Sequence, residues 1–333
     1  MRHLIRGARP WALPLTAILL AGGSWAAGAA LAAQPSPRQM RFVISAQFAV
    51  GEIVTTYSDP SRLVHAAGRL EPRRLTTVIR YPALGEPSRI DVRGAPAAKG
   101  RGPFPLIVFA HGFAATPAIY ARLLQAWTRA GYVVAAPAFP LTNADAPGGP
   151  HESDLVNQPT DMSFVITHVL RASSAQHGVL SALIDPARIA VAGQSDGGST
   201  ALAAGYNVHY LDHRIGAAVI LSGAYIPGVT GYAFRASSPP LLAVQGTADT
   251  VNAPRSTYRF FAAARPPKFL LSLLGASHLR PYTTQEPQLG VVERVSVAFL
   301  DRYLERRPGS RGRLWAAGNV RGISKLSTTI AFG

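Results

Sequence analysis

The pentapeptide Gly193-Gln194-Ser195-Asp196-Gly197 is the segment with the most specific chemistry in the sequence. An apolar run, Arg188–Ala192, precedes it, and a stretch of small residues, Gly197–Tyr206, follows. A serine flanked by glycines at a strand-to-helix turn stands clear of the backbone, with helix N-terminal amides beside it. Those amides lie where an attacking hydroxyl would generate negative charge. A glycine-rich phosphate loop is the competing reading, but it lacks its Gly-Lys-Ser/Thr ending here.

A serine hydroxyl becomes a nucleophile when a base takes its proton, and the base needs an acid to fix its tautomer. On such an elbow the acid and then the histidine follow the serine along the chain. Of nine histidines, His278 has the position of the base, in Gly275-Ala276-Ser277-His278 after the apolar run Lys268–Leu274. His209 and His213, four apart, suggest a metal, but no third ligand accompanies them. Between Ser195 and His278 the only acids are Asp196, Asp212 and Asp249. Asp196 adjoins the serine and Asp212 precedes a strand. Asp249 follows the run Leu241–Gln245 and is the expected acid. His111-Gly112-Phe113, directly after Leu106–Ala110, supplies a second backbone donor, so the amides of Phe113 and Asp196 are the expected oxyanion hole. His111 itself reads as structural. This chemistry requires neither a metal ion nor an organic cofactor.

Positioning these residues takes a sheet whose strands end together. Apolar runs at Leu75–Tyr81, Leu106–Ala110, Tyr132–Phe139, Arg188–Ala192, Ile215–Leu221, Leu241–Gln245 and Lys268–Leu274 predict strands. Ala118–Ala130, Thr160–Ala172, Gly197–Tyr206 and Glu293–Leu304 predict helices between and after them. This alternation predicts an α/β domain with a mostly parallel central sheet and helices on both faces. Two loops reach its catalytic edge. Leu141–Pro159 reads as a mobile cover or a plain connection. Ser222–Pro240, with Tyr225, Tyr232 and Phe234, reads as an aromatic wall that places Tyr225 against substrate, or likewise as a plain connection.

Residues 1–33 hold Arg2, Arg6 and Arg9 and no acid, then an uncharged stretch that ends in Ala30-Leu31-Ala32. This is the layout of a secretory signal peptide cleaved near Ala32 or Ala33, with a membrane anchor as the rival reading. A single catalytic domain is expected over 34–305. Residues 306–333 carry six cations and no acid, and read as a basic tail, either solvated or resting on an anionic surface. The 333 residues contain no cysteine, which excludes disulfides, thiolate metal sites and a cysteine nucleophile. Charged residues make up 15% and hydrophobic ones 48%, which excludes global disorder. The net charge is +16, yet no basic stretch is interleaved with aromatics, so nucleic acid is not an expected partner. A monomer is expected.

On His111-Gly112-Phe113, Gly193–Gly197, Gly246–Thr250 and Gly275–Leu279, the chain resembles the α/β-hydrolases over about residues 70–305. More narrowly it resembles the secreted branch of cutinase-like polyester hydrolases, chlorophyllase-like enzymes and platelet-activating-factor acetylhydrolase-type lipases. The resemblance implies the α/β-hydrolase fold, with Ser195 as nucleophile, Asp249 as acid, His278 as base, and Phe113 lining the acyl pocket. It implies a small-molecule, lipid or polyester ester as substrate. Asp196 stands where the cutinase-like enzymes carry Met, and no Trp follows Ile215–Leu221, which argues against aromatic polyesters. Asp161-x-x-Phe164-Val165 is a helix pattern of the chlorophyllase and acetylhydrolase side, or simply packing. The rival function is an amidase-type or catalytically silent member that acts as an envelope-associated binding protein.

Overall fold

The structure, a computed structural model, describes residues 47–66 and 68–330. The expected signal peptide lies outside the described residues. Ten strands and six α-helices follow one another along the described chain. A long hairpin comes first, β1 (Ala49–Ala66) and β2 (Arg69–Ala83), then a short β3 (Asp91–Arg93). Next come β4 (Phe104–Ala110), α1 (Ala121–Arg129), β5 (Val133–Ala138) and α2 (Gln158–Ser174). The centre is β6 (Ile184–Gln194), α3 (Asp196–Tyr206), β7 (Ile215–Leu221) and β8 (Leu241–Gly246). The chain continues with α4 (Pro254–Ala263), β9 (Lys268–Leu273), α5 (Gln288–Tyr303), α6 (Ser310–Gly318) and β10 (Ser324–Ser327).

All ten strands form one sheet in the order β10-β9-β8-β7-β6-β4-β5-β2-β1-β3. The run from β9 to β5 is parallel throughout, while β2 pairs antiparallel with β5 and with β1. Strand β4, Phe-Pro-Leu-Ile-Val-Phe-Ala, is buried at every position, as a strand covered on both faces must be. Leu106, Val108 and Ala110 join one core with α2, α3 and α4. Ile107 and Phe109 join a second core with α1, α5 and α6. The expected α/β architecture, mostly parallel with helices on both faces, is the one observed.

The predicted strand over Ile215–Leu221 coincides with β7, and most of the others shift by one to six residues. Strand β1 has no counterpart among them. Its middle, Thr55 to Arg62, is mostly polar, and its register with β2 shifts between Asp59 and Leu63. Such a strand exists through its pairing with β2, not through an apolar pattern of its own.

The basic tail is corrected by the structure. From residue 306 to 330 the chain packs onto the domain. Leu314 and Ala317 of α6 are buried against the second core, and β10 pairs antiparallel with β9 at the sheet edge. Arg307 and Arg313 reach the buried carboxylate of Asp301. Counting charges hid the apolar stripe of Leu314, Ala317 and Leu326, which seats this segment. The folded domain therefore runs past residue 305.

The segment from Leu141 to Pro159 is a fastened connection among the described residues. Ala114 N–H donates to Thr142 O at 2.8 Å, and Ala144 N–H donates to Ala115 O at 3.2 Å. The buried Arg73 guanidinium, on β2, donates to both oxygens of Asp154 (2.9 and 2.7 Å) and of Asp161 (2.7 and 2.6 Å). Through Arg73, Asp161 holds α2 and Asp154 holds this segment to the hairpin.

Candidate active site

Strand β6 ends at Gln194 and helix α3 begins at Asp196, so Ser195 alone makes the turn. Its φ of 57° and ψ of −122° lie outside the regions L-residues favour, a strain of about 1–3 kcal/mol that the surroundings must hold. The two glycines are sterically required. A Cβ on Gly193 would sit 2.1 Å from the carbonyl oxygen of Gly197, and one on Gly197 would sit 2.1 Å from that of Ala110. Ser195 N–H donates to Leu221 O at 2.9 Å, which ties the elbow to β7.

The loops after β8 and β9 bring the other two expected residues to this serine. His278 Nε2 is 2.8 Å from Ser195 Oγ, and His278 Nδ1 is 2.8 Å from Asp249 Oδ2. Asp249 Oδ1 accepts the amides of Val251 (3.0 Å) and Asn252 (2.9 Å), and Oδ2 also accepts from Gln245 Nε2 at 3.2 Å. Burial opposes the charge on Asp249, but the hydrogen bond and charge of His278, with these donors, outweigh it and hold the carboxyl below its ordinary pKa. An ionised Asp249 selects the His278 tautomer with hydrogen on Nδ1, which turns the Nε2 lone pair toward the serine hydroxyl.

One contact set was not foreseen from sequence. Gln194, the residue before Ser195, is buried, and its Nε2 donates to His278 O at 3.0 Å. Its Oε1 accepts from Tyr120 Oη at 2.8 Å, and that oxygen accepts Gly112 N–H at 3.2 Å. Gln194 therefore bridges the histidine loop and the loop after β4. The one available signal was a polar side chain at a position that a strand end would bury.

Phe113 and Asp196, the expected oxyanion donors, flank the serine. Among the described residues neither backbone N–H has a hydrogen-bond partner within the protein. His111 is buried. Its Nε2 accepts Phe139 N–H at 3.0 Å and its Nδ1–H donates to Gly112 O at 2.8 Å. Burial pushes it down to about 4, so it stays neutral and clasps the loop after β4 to the end of β5. Gly112, Phe113, Ile119, Leu279, Ser195 and His278 line a half-open cleft of about 140 Å³. Tyr225 does not line it. Its ring lies under Arg259 (4.5 Å) and edge-on to Tyr232 (5.8 Å). Tyr232 and Phe234 pack against the core.

Among the described residues Asp196 has no arginine partner, and its Oδ2 is buried without a hydrogen bond. Burial pushes its pKa up to about 6, the Glu152 carboxylate adds to the rise, and His278 opposes it. Among the described residues, no group of three or more His, Asp or Glu side chains is placed to hold a metal ion, so His209 and His213 gain no third ligand.

Residues 64–251 match the chlorophyllase family model, a span that includes the elbow and Asp249 and ends before His278. Among solved structures, a ferulic acid esterase from Streptomyces cinnamoneus is similar in fold. It has a TM-score of 0.60 and 20% identity over 79% of this chain and 92% of that one. No curated protein matches the chain in sequence.

Proposed function

The chain belongs to the chlorophyllase family and is a carboxylic ester hydrolase, and we propose that it works as a secreted serine esterase through an acyl-enzyme on Ser195. The observation that carries this reading is the pair of 2.8 Å contacts joining Ser195 Oγ, His278 and Asp249 in one line. His278 Nε2 takes the hydroxyl proton as Ser195 Oγ attacks the ester carbonyl. The free amides of Phe113 and Asp196 receive the oxyanion. His278 then gives the proton to the leaving alcohol as the C–O bond breaks. Water enters, loses a proton to Nε2, and attacks the acyl carbonyl. The proton returns to Ser195 as the carboxylic acid leaves. One such donor is typically worth about two to three orders of magnitude in turnover.

The small cleft beside Phe113, Ile119 and Leu279 favours short acyl groups over long ones. Export rests on the arginine-led, apolar, small-x-small sequence of residues 1–33. The mature N-terminus of protein recovered from the medium tests it, with residues 33–34 expected. A chain still starting at its leader would identify an anchor.

The test of the chemistry is hydrolysis of p-nitrophenyl esters, from acetate to palmitate, with ethyl ferulate alongside. The mature enzyme and its Ser195→Ala variant are compared. Serine-dependent turnover that falls with chain length is expected. A Ser195→Ala variant as active as the parent would overturn the assignment of the nucleophile.

A further inference from the structure

A second cavity, of about 500 Å³, lies where β9 begins and β10 ends. It is away from the carboxyl ends of the strands that carry Ser195, Asp249 and His278. Its walls include Phe269, Tyr303 and Trp315, with ring centroids about 6 Å apart from Phe269 to each of the others. Lys268, Arg302 and Arg311 also line it, and among the described residues no acidic one does. The nearest carboxylates along the chain are already engaged. Asp301 is held by Arg307 and Arg313, and Glu305 by Arg188 and Arg307. Among the described residues, Arg302 and Arg311 form no ion pair.

The volume falls within the usual range for small-molecule sites, which are mostly apolar with a few placed polar groups. Guanidinium groups present forked donors that match a carboxylate. Arg302 and Arg311 are like charges on the exposed rim of this recess, and a carboxylate set between them offsets their repulsion. The aromatic faces would cover a hydrocarbon or aryl body.

We propose that this cavity binds an amphiphilic anion, its carboxylate on Arg302 and Arg311 and its apolar body against Phe269, Tyr303 and Trp315. Arg311 and Trp315 belong to the basic C-terminal stretch, so this site gives part of that charge a ligand. The proposal stands apart from the catalytic reading, since it uses none of the same residues.

Calorimetric titration of the mature enzyme with dodecanoate, below its micelle concentration, tests it. Saturable binding is expected, weakened at least tenfold in the double variant Arg302→Ala/Arg311→Ala. Both side chains are exposed, so the fold and the hydrolysis of p-nitrophenyl acetate should be unchanged. Dodecyltrimethylammonium, with the same chain and the opposite charge, should not compete. Equal dodecanoate affinity in the double variant, or equal binding of the cationic amphiphile, overturns the proposal. Arginine-dependent binding to phosphatidylglycerol vesicles without saturable binding of free dodecanoate overturns it too, and makes this face a membrane contact.

Discussion

Gln194 and His278 are joined by a hydrogen bond from the glutamine Nε2 to the histidine main-chain oxygen, at 3.0 Å. The residue before the nucleophile thus holds the loop that carries the base, while its other end reaches Tyr120 and, through it, Gly112. Gln194→Leu keeps the volume and removes these bonds. A buried group left without its partner costs about 1–3 kcal/mol. The expected result is a tenfold or larger fall in kcat/KM, carried mainly by kcat, with a lower Tm. Steady-state kinetics and a thermal melt check it, and an unchanged kcat would remove Gln194 from any positioning role.

Asp249→Asn preserves the shape of the site and discards the charge that selects the His278 tautomer. By analogy with other triads, turnover should fall about four orders of magnitude. Active-site titration with a serine-reactive phosphonate distinguishes this from unfolding. The variant should still melt cooperatively but label far more slowly.

Asp196 gives a pH dependence with a definite sign. Its folded pKa of about 6 lies above the ordinary 3.8. Between those values the folded chain binds a proton that the unfolded chain has released. Stability therefore falls as pH rises through that window and is level above it. Asp196→Asn removes this loss, so the variant should be more stable than the parent at pH 8, by about 1–3 kcal/mol, and little different below pH 4. Denaturant melts at the two pH values check it. Activity should hold or rise, because an anion beside the oxyanion donors is gone. A loss above about tenfold, or 1.4 kcal/mol of barrier, would contradict this account.

Leu314→Ala tests whether the C-terminal segment belongs to the core. The side chain is fully buried, so the cavity left behind should cost about 2–5 kcal/mol in a urea melt. Removal of residues 306–333 should destabilise the domain further, because it also uncovers the β9 edge. A truncated chain as stable as the full one would return this segment to the status of a tail.

The hydrogen-bonded line of Ser195, His278 and Asp249 was legible because chain order and punctuation place these residues. Each follows an apolar run that forms a strand, and a glycine marks each of the three turns. The same logic placed the amides of Phe113 and Asp196 beside Ser195, and their part in holding an oxyanion belongs to the proposed mechanism. Tyr225 did not follow. Its ring packs between Tyr232 of the same loop and Arg259 of α4, a side-chain choice that residue type and spacing do not record.

The alternation of elements, the order of Ser195, Asp249 and His278, and the sharp turn at Ser195 are properties of short stretches of chain and could be read there. The tertiary structure alone decided that β1 is a strand, that the basic end folds onto β9 and α5, and that Gln194 reaches His278. β1 depends on its pairing with β2, the basic end on a second face to bury against, and Gln194 on a partner 84 residues away, and local pattern carries no record of which surface will be met.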